Sequence, residues 1–257
     1  MIRGIYTSTS GMMGQVIQQE TIANNLSNLD TTGYKREDTV FHSFPDMLIR
    51  SNERFNDVNL FPNVGNMNLG SLVEENHTVH TQGHFAQSES SLDFALEGEG
   101  FFTVLNPEGE VRFTRDGHFL RDEEGNLVTS HGYHVLGEDE EPLTIPEENV
   151  VVDTDGVIRD QEDEVVGELL VTGFANPETL RKEGDNLLAA VDESELLDPG
   201  EMEASVRQGF LEGSNIDMVK EISRAMTSLR QYEANQKAVH AHDELLNKSV
   251  NEVGVLR

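Results

Sequence analysis

Apolar residues recur at helical spacing near the start of the chain. The repeat is compatible with one face of a helix, and it comprises Ile5, Met12, Val16, Ala23 and Leu26. Within the same stretch, Gly4, Gly11 and Gly14 each weaken a helix by about 1 kcal/mol relative to alanine. The sequence therefore predicts an N-terminal helical segment over residues 1–35 that is marginal alone and needs a partner to become ordered. Its glycines would let another helix approach closely.

A second and stronger stripe lies near the C-terminus. Ser214 is a possible N-cap, with Asp217 three residues on to complement the exposed amides. A helix from 214 to 251 would be roughly 55 Å long, which is more than a compact domain of this size normally buries. We therefore expect it to join an assembly, with the N-terminal stripe as its first partner. Its apolar members are spaced close to a coiled-coil seam, and they are Val219, Ile222, Met226, Leu229, Tyr232, Val239, Leu246, Val250 and Val253.

The middle of the chain has the spacing of strands. The apolar residues Leu92, Phe94 and Leu96 occupy every second position, as in a strand. Further short apolar runs follow, and Gly-centred turn signals lie between them at 106–109, 116–117, 124–126 and 155–156. This pattern predicts an antiparallel β domain over residues 81–213, either a sandwich or a small barrel. Residues 36–80 have little periodicity and indicate an extended connector. The expected fold class is α+β, with helices at 1–35 and 214–257 pairing as an α-helical coiled-coil domain.

The composition of the chain excludes several classes of protein. The 257 residues contain no cysteine and no long apolar run, which excludes a disulfide framework, a thiol nucleophile and a transmembrane helix. The first 20 residues have no apolar core of a secretory signal peptide. These features favour a cytoplasmic protein, or one exported without a cleavable signal peptide.

The charge is distributed unevenly along the chain. The formal net charge is −30, which opposes binding to nucleic acid or anionic lipid. Residues 1–50 hold 4 basic and 5 acidic side chains and residues 214–257 hold 6 of each, so the middle segment, 51–213, carries −29. The neutral ends can pack densely against copies of themselves, whereas the middle would repel itself. An acidic, solvated surface suited to a saline or alkaline setting would also explain the total charge.

No motif indicates catalysis. The run Asp153 to Gly156 starts like a calcium loop, but its glycine is at position 4 rather than 6, and a hairpin turn explains it better. His77, His80 and His84 lie close in sequence, yet no second metal-binding motif supports them. Pairs of carboxylates are too frequent to single out a glycosidase pair, and the chain has no GxSxG, P-loop or dinucleotide fingerprint. We expect no catalytic, cofactor-binding or metal-binding residues, and no enzyme activity.

Several stretches, in order along nearly the whole chain, resemble the flagellar rod and hook family of axial basal-body proteins. They are IYTSTSGMMGQ, IANNLSNLDTTGYKRE, QGHFAQSESSLDFALEGEGFF, FTRDGHFLRDEEGNLVTSHGYHVLG, IPEENVVVDTDGVI, GELLVTGFANPETLRKEGDNLL and QGFLEGSNIDMVKEISRAMTSLRQYEANQKAVHAHDELLNKSV. Within that family the chain is most similar to rod proteins of the FlgF/FlgG type, including FlhO/FlhP-like members of Gram-positive bacteria.

The resemblance implies a structural subunit of the flagellar basal-body rod. Its terminal helices would polymerise into the axial tube that transmits motor torque to the hook, with copies of itself and other rod and hook subunits as partners. The chain would leave the cell through the flagellar type III export apparatus, without binding nucleic acid or inserting into a membrane. The residues matched to the family's turn after the first helix are Asn24, Asn25, Asn28, Thr32, Gly33 and Tyr34. Those matched to its C-terminal motif are Ser214, Asn215, Tyr232 and Asn235.

The predicted subunit interface combines these matched residues with members of the two stripes, from Ile5 to Leu26 and from Val219 to Val239. Two other classes of function stay open at this point. The chain could be a secreted coiled-coil interaction module or effector that binds an envelope or host partner, which would form a finite complex rather than a tube. It could also be a β-domain hydrolase with paired carboxylates, which the missing nucleophile motifs disfavour.

Overall fold

The computed structural model describes residues 2–50, 54, 55, 58, 59, 63–146, 150–190, 197 and 204–253. The fold is α+β, as predicted, with a helix near each end of the chain and antiparallel strand pairs between them. Helix α1 spans Ile2–Ser27 and helix α2 spans Met218–Lys248, which is followed by a π-helical turn at Ser249–Val253. A single turn of 3-10 helix lies at Pro177–Thr179.

The strands in the described residues follow one another closely along the chain. Those before the β-rich centre are β1 (Glu37–Ser43), β2 (Met47–Arg50), β3 (Arg54–Phe55), β4 (Val58–Asn59), β5 (Asn63–Met67) and β6 (Ser71–Thr78). The next are β7 (Phe85–Gln87), β8 (Phe94–Gly98), β9 (Phe101–Leu105), β10 (Val111–Thr114), β11 (Phe119–Arg121), β12 (Leu127–Thr129) and β13 (His134–Val135). The last are β14 (Val151–Val152), β15 (Val157–Arg159), β16 (Val165–Glu168), β17 (Val171–Thr172), β18 (Arg181–Gly184), β19 (Leu187–Ala189), β20 (Ala204–Gln208) and β21 (Phe210–Glu212).

Helix α2 begins later than the sequence predicted. Asp217 is the N-cap, with extended backbone angles and a carboxylate that accepts hydrogen bonds from the amides of Val219 and Lys220. The expectation that Ser214 caps the helix is therefore wrong. A carboxylate satisfies the exposed amides and also complements the positive end of the helix dipole, while Ser214 is buried ahead of the helix. The 31 helical residues are roughly 46 Å long.

The chain divides into two compact units. We call Met1–Leu26, Glu37–His77 and Asp217–Arg257 the helical unit, and Ser27–Arg36 with Thr78–Ile216 the β unit. The helical unit thus contains both long helices and the strands β1 to β6, which lie in the stretch predicted as an extended connector. In it, β1 pairs with β6, β2 with β5 and β3 with β4. The predicted domain boundaries at 35, 80 and 213 remain predictions.

The β unit is built around one large sheet. Its strand order is β11-β12-β13-β9-β10-β19-β18, with β17 also pairing with β9, and β14-β15-β16 form a second sheet. Phe102 and Phe119 meet edge to face in the core, with ring centroids 5.1 Å apart. Gly109, Gly125 and Gly156 have positive φ angles in the turns predicted at 106–109, 124–126 and 155–156, and this confirms those turn predictions. The largest fully buried apolar side chains are Phe94, Phe102, Phe119, Leu96, Leu127, Leu136, Ile145 and Ile158.

Candidate subunit interface

Helices α1 and α2 lie against each other in opposite directions within the helical unit. A Cβ atom on Gly11 would lie 2.9 Å from Nδ2 of Asn235, and one on Gly4 would overlap the imidazole of His242. Moving back by seven residues on α1 thus corresponds to moving forward by seven on α2, which is the register of an antiparallel pair. The close approach of another helix, predicted for the N-terminal glycines, is confirmed at Gly4 and Gly11 but not at Gly14, which faces Phe41 of β1.

The face of α2 turned toward α1 carries a polar residue at every seventh position. Ser228 Oγ donates to the backbone oxygen of Gln15 at 3.2 Å and contacts its Oε1 at 2.8 Å. Of the residues in α2, only Glu221 and Ser228 are buried. Polar side chains at such positions fix the register of a helix pair at a cost in stability. We call this series the polar seam, and its members are Glu221, Ser228, Asn235 and His242.

An ion-pair network holds the start of α2 to β1. Arg224 Nη1 lies 2.6 Å from Oδ1 of Asp38 and 3.1 Å from Oε1 of Glu221. Because Glu221 is almost fully buried, its charge needs a partner of this kind. The network therefore fixes the first turns of α2 on the strand that follows α1.

Helix α1 also contacts the β1–β6 ribbon. A Cβ on Gly14 would lie 2.7 Å from the Phe41 ring, so the glycine lets the ribbon pack closely. Thr39 Oγ1 donates to Thr21 Oγ1 at 3.0 Å, and Thr21 Oγ1 donates to Oδ1 of Asn76 at 3.3 Å. The contacts between the ribbon and α1 thus include an aromatic side chain and a short chain of hydrogen bonds.

A different face of α2 leaves apolar side chains in solvent. Val219 is 73% exposed and Leu229 is 50% exposed, and these residues recur at steps of three and four. At 100° per residue they lie roughly 130° around the helix from the polar seam. A stripe with this spacing is typical of a helix that packs against another helix. We call it the exposed stripe, and its members are Val219, Ile222, Met226 and Leu229.

Helix α1 has exposed apolar side chains as well. Tyr6, Met13 and Val16 are all exposed, and Tyr6 and Met13 are seven residues apart, so they lie on one face. In the described part of the helical unit, Ile22 is the one apolar side chain that is buried. Both terminal helices therefore present apolar side chains that another molecule can contact.

Residues 28–36 form a turn that packs on the strands of the β unit. Gly33 has φ +66°, and a Cβ there would overlap the backbone of Arg115 and Asp116. Thr32 Oγ1 donates to Oδ1 of Asp116 at 2.6 Å, and Asn186 Nδ2 donates to the Thr32 carbonyl at 2.9 Å. The turn predicted at Gly33 is therefore present, because only glycine combines this φ angle with this close approach.

Three buried charged side chains fasten this turn. Lys35 Nζ lies 2.5 Å from Oε1 of Glu212, and Arg115 Nη1 lies 3.3 Å from Oε2 of the same carboxylate. Lys35 also donates to the carbonyl of Thr81 at 3.0 Å, and Arg115 to that of Gly98 at 2.8 Å. Burial lowers the pKa of Lys35 and of Arg115, and the Glu212 carboxylate opposes both shifts. The cluster is stable only because hydrogen bonds and opposite charges compensate the lost solvation.

Sequence reasoning missed this charged cluster. Lys35 and Glu212 are separated by 177 positions, and no local pattern relates them. The available signal was the position of the charges: Lys35 follows the turn glycine by two residues, and Arg115 comes directly after the strand Val111–Thr114. A charged residue in such a position needs a partner if it is buried.

Two asparagine amides hold the backbone on either side of position 36. In the helical unit, Asn25 Nδ2 donates to the Glu37 carbonyl at 2.8 Å and its Oδ1 accepts the Glu37 amide at 2.9 Å. In the β unit, Asn215 Oδ1 accepts the Arg36 amide at 2.8 Å and Nδ2 donates to the Val79 carbonyl at 2.8 Å. Each amide therefore fixes the backbone on one side of position 36.

The predicted interface residues fall into three groups by burial. The exposed residues are Val16, Ala23, Asn24, Leu26, Val219, Ile222, Met226 and Leu229. The half-buried residues are Ile5, Met12, Asn28, Thr32, Asn215, Tyr232, Asn235 and Val239. The buried residues are Asn25, Gly33, Tyr34 and Ser214. The first group is available to a neighbour, whereas the last is enclosed within the chain; a role of all these residues in subunit contact stays a prediction.

The stretch that starts like a calcium loop and the histidine near Phe101 both have structural explanations. The Gly156 amide donates to the Asp153 carbonyl at 3.0 Å, which closes the hairpin turn between β14 and β15. The ring of His80 packs edge-on against Phe101, with centroids 5.7 Å apart. Within the described residues, no three His, Asp or Glu side chains are grouped as ligands of a metal ion. Neither helix, over its described length, is long and apolar enough to cross a lipid bilayer.

An α+β chain with a helix near each end and exposed apolar stripes on both helices is typical of a subunit that assembles through its termini. Three family models match the chain. Residues 5–35 match the flagella basal body rod protein model, residues 95–159 match the D1 domain of the flagellar hook protein FlgE/F/G, and residues 207–252 match the C-terminal model of the flagellar basal body rod FlgEFG protein.

Curated relatives match over nearly the full length. The flagellar basal-body rod protein FlgG of Agrobacterium fabrum is 33% identical, over 95% of this chain and 97% of that protein. FlgG of Borreliella burgdorferi is 32% identical over 98% of both chains, and the flagellar hook-basal body complex protein FlhO of Bacillus subtilis is 27% identical over 99% of both. The chain belongs to the flagellar basal-body rod proteins of the FlgF/FlgG type. It is a structural subunit of the rod, located in the basal body of the bacterial flagellum.

Proposed function

We propose that this rod subunit polymerises through its terminal helices into the axial tube that transmits motor torque to the hook. Its partners would be copies of itself and other rod and hook subunits. The observation that carries this proposal is the exposed stripe on α2, where Val219, Ile222, Met226 and Leu229 remain in solvent in the single chain. Burying such side chains against a neighbouring helix stabilises an assembly by about 25 cal/mol per Å² of apolar surface.

The charge distribution supports the same proposal. The two chain ends are nearly neutral, whereas residues 51–213 carry −29. Helices of neighbouring copies can therefore pack densely in the tube wall without strong repulsion, while the acidic β unit is better placed outside the wall. We also propose that the two helices continue as a coiled coil with those of neighbouring subunits, since the exposed stripe has the required spacing.

Passage through the flagellar type III export apparatus belongs to the same proposal. A chain without cysteine forms no disulfide that would have to be opened for export, and the described helical unit, with one buried apolar side chain, has little core to unfold. We infer that the protein works without catalysis, cofactor, nucleic acid or membrane insertion. The support for this is the acidic composition and the structural roles found above for the candidate chemical residues.

A matched pair of substitutions on α2 tests the assembly surface. Leu229 lies on the exposed stripe and Leu245 lies off it, and the two are 50% and 51% exposed. We expect Leu229→Asp to block rod assembly and swimming, because burial of an unpaired carboxylate at an interface costs several kcal/mol. We expect Leu245→Asp to have a much smaller effect. Motility and purified basal bodies are the readouts.

Each variant is also purified and its helical content measured. Both leucines are exposed in the single chain, so neither change should alter folding of the monomer by more than about 0.5 kcal/mol. Normal swimming with Leu229→Asp contradicts assembly through the exposed stripe. Equal loss of motility in both variants, with folded monomers, contradicts the assignment of the interface to this face.

A further inference from the structure

The β1–β6 ribbon lies on one side of the helix pair. Gly14 of α1 faces the ring of Phe41, and Arg224 of α2 pairs with Asp38, so both helices turn these residues toward β1. An α-helix turns by about 100° per residue, so a residue two positions away lies roughly on the opposite side of its helix. The helix pair therefore has a ribbon side and an open side.

The open side has a groove between the two helices. Val16 comes two positions after Gly14, and Ile222 comes two positions before Arg224, so both are turned away from the ribbon. Leu229 follows Ile222 by seven residues and shares its face. Val16, Ile222 and Leu229 are 41%, 39% and 50% exposed, so the groove is open to solvent in the single chain.

The register of the helix pair sets the two walls of this groove opposite each other. Gly11 of α1 is level with Asn235 of α2. Val16 comes five residues after Gly11 and Leu229 comes six residues before Asn235, so these two side chains are level across the antiparallel pair. We call this feature the open groove, and its members are Val16 and Ala23 of α1, Ile222 and Leu229 of α2, and the half-buried Met12 and Tyr232 between the walls.

The open groove is uncharged along most of its length. Residues 4–19 of α1 contain no charged side chain. On α2, Arg224 lies on the ribbon side, Glu221 belongs to the polar seam, and Lys220 precedes Ile222 by two positions, which turns it toward the ribbon side. Such a groove favours an apolar helix face and disfavours the segment 51–213 with its charge of −29.

The same chain has an apolar row that matches the groove. Val219 and Met226 are 73% and 57% exposed, and they are seven residues apart. Each precedes a wall residue of the groove by three positions, so the row points further away from α1 than the wall does. Apolar side chains repeated every seven residues insert between the side chains of a facing helix, and the flexible side chain of methionine adapts to an irregular gap.

We propose that the open groove of one copy holds the row of Val219 and Met226 from α2 of a second copy. The groove and the row are different parts of the surface, so the contact is heterologous and leaves a free groove and a free row at the ends of a chain of copies. Contacts of this kind generate open helical polymers when the rotation between copies does not close. The inference rests on the proposed assembly through α2, and it adds the α1 wall of the groove and the pairing of two different surfaces.

Cross-linking between introduced thiols tests the contact, because the chain has no cysteine of its own. In rods assembled from a subunit with both Val16→Cys and Met226→Cys, mild oxidation should join neighbouring copies into a ladder of covalent multimers on a denaturing gel. The control combines Val16→Cys with Thr227→Cys. Thr227 is exposed beside Gln18 and Arg224 on the ribbon side, so this pair should give no ladder. Rods of the first pair without a ladder, or equal ladders in both pairs, overturn the proposal but leave assembly through the exposed stripe intact.

A charge placed in the groove gives a second test that needs no cross-linking. We expect Val16→Lys to abolish swimming while the purified monomer keeps its helical content, because the ammonium group would be buried under the second copy. Thr227→Lys adds the same charge on the ribbon side and should leave swimming normal. Normal swimming with Val16→Lys overturns the proposal, and so does loss of swimming in both lysine variants with folded monomers. If Val16→Lys swims and Leu229→Asp does not, the proposed function stands and only the α1 wall is excluded.

Discussion

Lys35 and Glu212 form a buried ion pair across 177 residues of sequence, with Nζ 2.5 Å from Oε1. The lysine belongs to the turn that follows α1, and the glutamate ends β21, the last strand before α2. The Glu212 carboxylate also accepts the Gly83 amide at 2.7 Å, and its backbone oxygen accepts the Gly33 amide at 2.7 Å. One residue therefore fastens three separate segments of the β unit.

Replacing this carboxylate should destabilise the β unit strongly. Glu212→Gln leaves Lys35 and Arg115 buried without a counter-charge, and we expect a loss of about 3–5 kcal/mol in the free energy of unfolding. The matched control is Glu97→Gln, which removes an exposed ion pair with Arg207 at 2.6 Å and should cost less than about 1 kcal/mol. Urea unfolding of the purified monomer, followed by circular dichroism, gives both values. Equal, small losses would show that the buried cluster contributes little.

Two glycines with positive φ allow the energetic cost of a left-handed backbone to be measured apart from the cost of a steric overlap. Gly33 has φ +66° and Gly132 has φ +87°, but a Cβ on Gly132 meets no atom of the described residues within 4 Å. Gly132→Ala should therefore cost only about 1–2 kcal/mol for the left-handed backbone. Gly33→Ala should cost clearly more, because the methyl group would overlap the backbone of Arg115 and Asp116. The comparison of the two unfolding free energies checks this, and similar costs would contradict the close approach.

The half-buried carboxyl of Asp116 makes the stability of the β unit depend on pH, and the direction of its pKa shift gives the sign. Burial raises the pKa of this carboxyl above its ordinary value of 3.8, although hydrogen bonds from Thr32 and the His118 amide oppose the shift. The native state therefore holds its proton to higher pH than the unfolded state, so stability falls as pH rises from 3.8 to the raised value. Asp116→Asn should stabilise the protein near neutral pH and lose that advantage below the unfolded pKa.

Asp122 serves as the control, because its pKa is shifted in the opposite direction. The pKa of Asp122 is lowered: burial opposes this, but hydrogen bonds from the Asn126 and Glu124 amides outweigh it. Its stabilising contribution is present above the unfolded pKa and is lost as pH falls through the folded one. Asp122→Asn should therefore destabilise near neutral pH. Urea midpoints across the acid range give both curves, and curves of the same sign for the two variants would contradict the assignment.

The fold could be predicted where the apolar residues of a segment repeat at the spacing of a helix or of a strand. Helices α1 and α2 have the helical repeat, and the β8 segment around Phe94 and Leu96 alternates as a strand does. In contrast, β18 (Arg181–Gly184) and β20 (Ala204–Gln208) have no such period. They are strands because of their partners: β20 pairs residue by residue with β8, from Ala204 opposite Gly98 to Gln208 opposite Phe94. Pairing between distant segments cannot be seen in either segment alone.

The sequence did not predict how polar and apolar side chains divide between the faces of α2. One apolar stripe was expected along α2, yet the structure places Val219 and Leu229 in solvent and leaves Tyr232 and Val239 half-buried. The residues that fix the helix pair are instead polar and seven positions apart. A search for apolar repeats passes over Ser228 and Asn235, because both are polar and their partners lie on the other helix: Gln15 for Ser228 and Gly11 for Asn235.

The hydrogen bonds of Ser228 to α1 should contribute measurably to the helix pair. Ser228→Ala removes its contacts with Gln15, and we expect a loss of about 1 kcal/mol. Ser223 is the matched control, because its hydroxyl bonds to the Val219 carbonyl of its own helix and it is exposed. Ser223→Ala should therefore be near neutral. Thermal melting of the helical signal of the monomer compares the variants, and equal melting temperatures would contradict the polar seam.

The two units should differ in local stability in the free subunit. The β unit buries a cluster that includes Phe94, Phe102 and Leu127, whereas Ile22 is the one buried apolar side chain in the described helical unit. Amide protection follows such burial, so amides of β9 and β10 should exchange slowly in the monomer, and those of α2 quickly. In assembled rods the α2 amides should become protected, because the exposed stripe is then covered. Equal protection of α2 and β9 in a verified monomer would show that the helices are stable without neighbours.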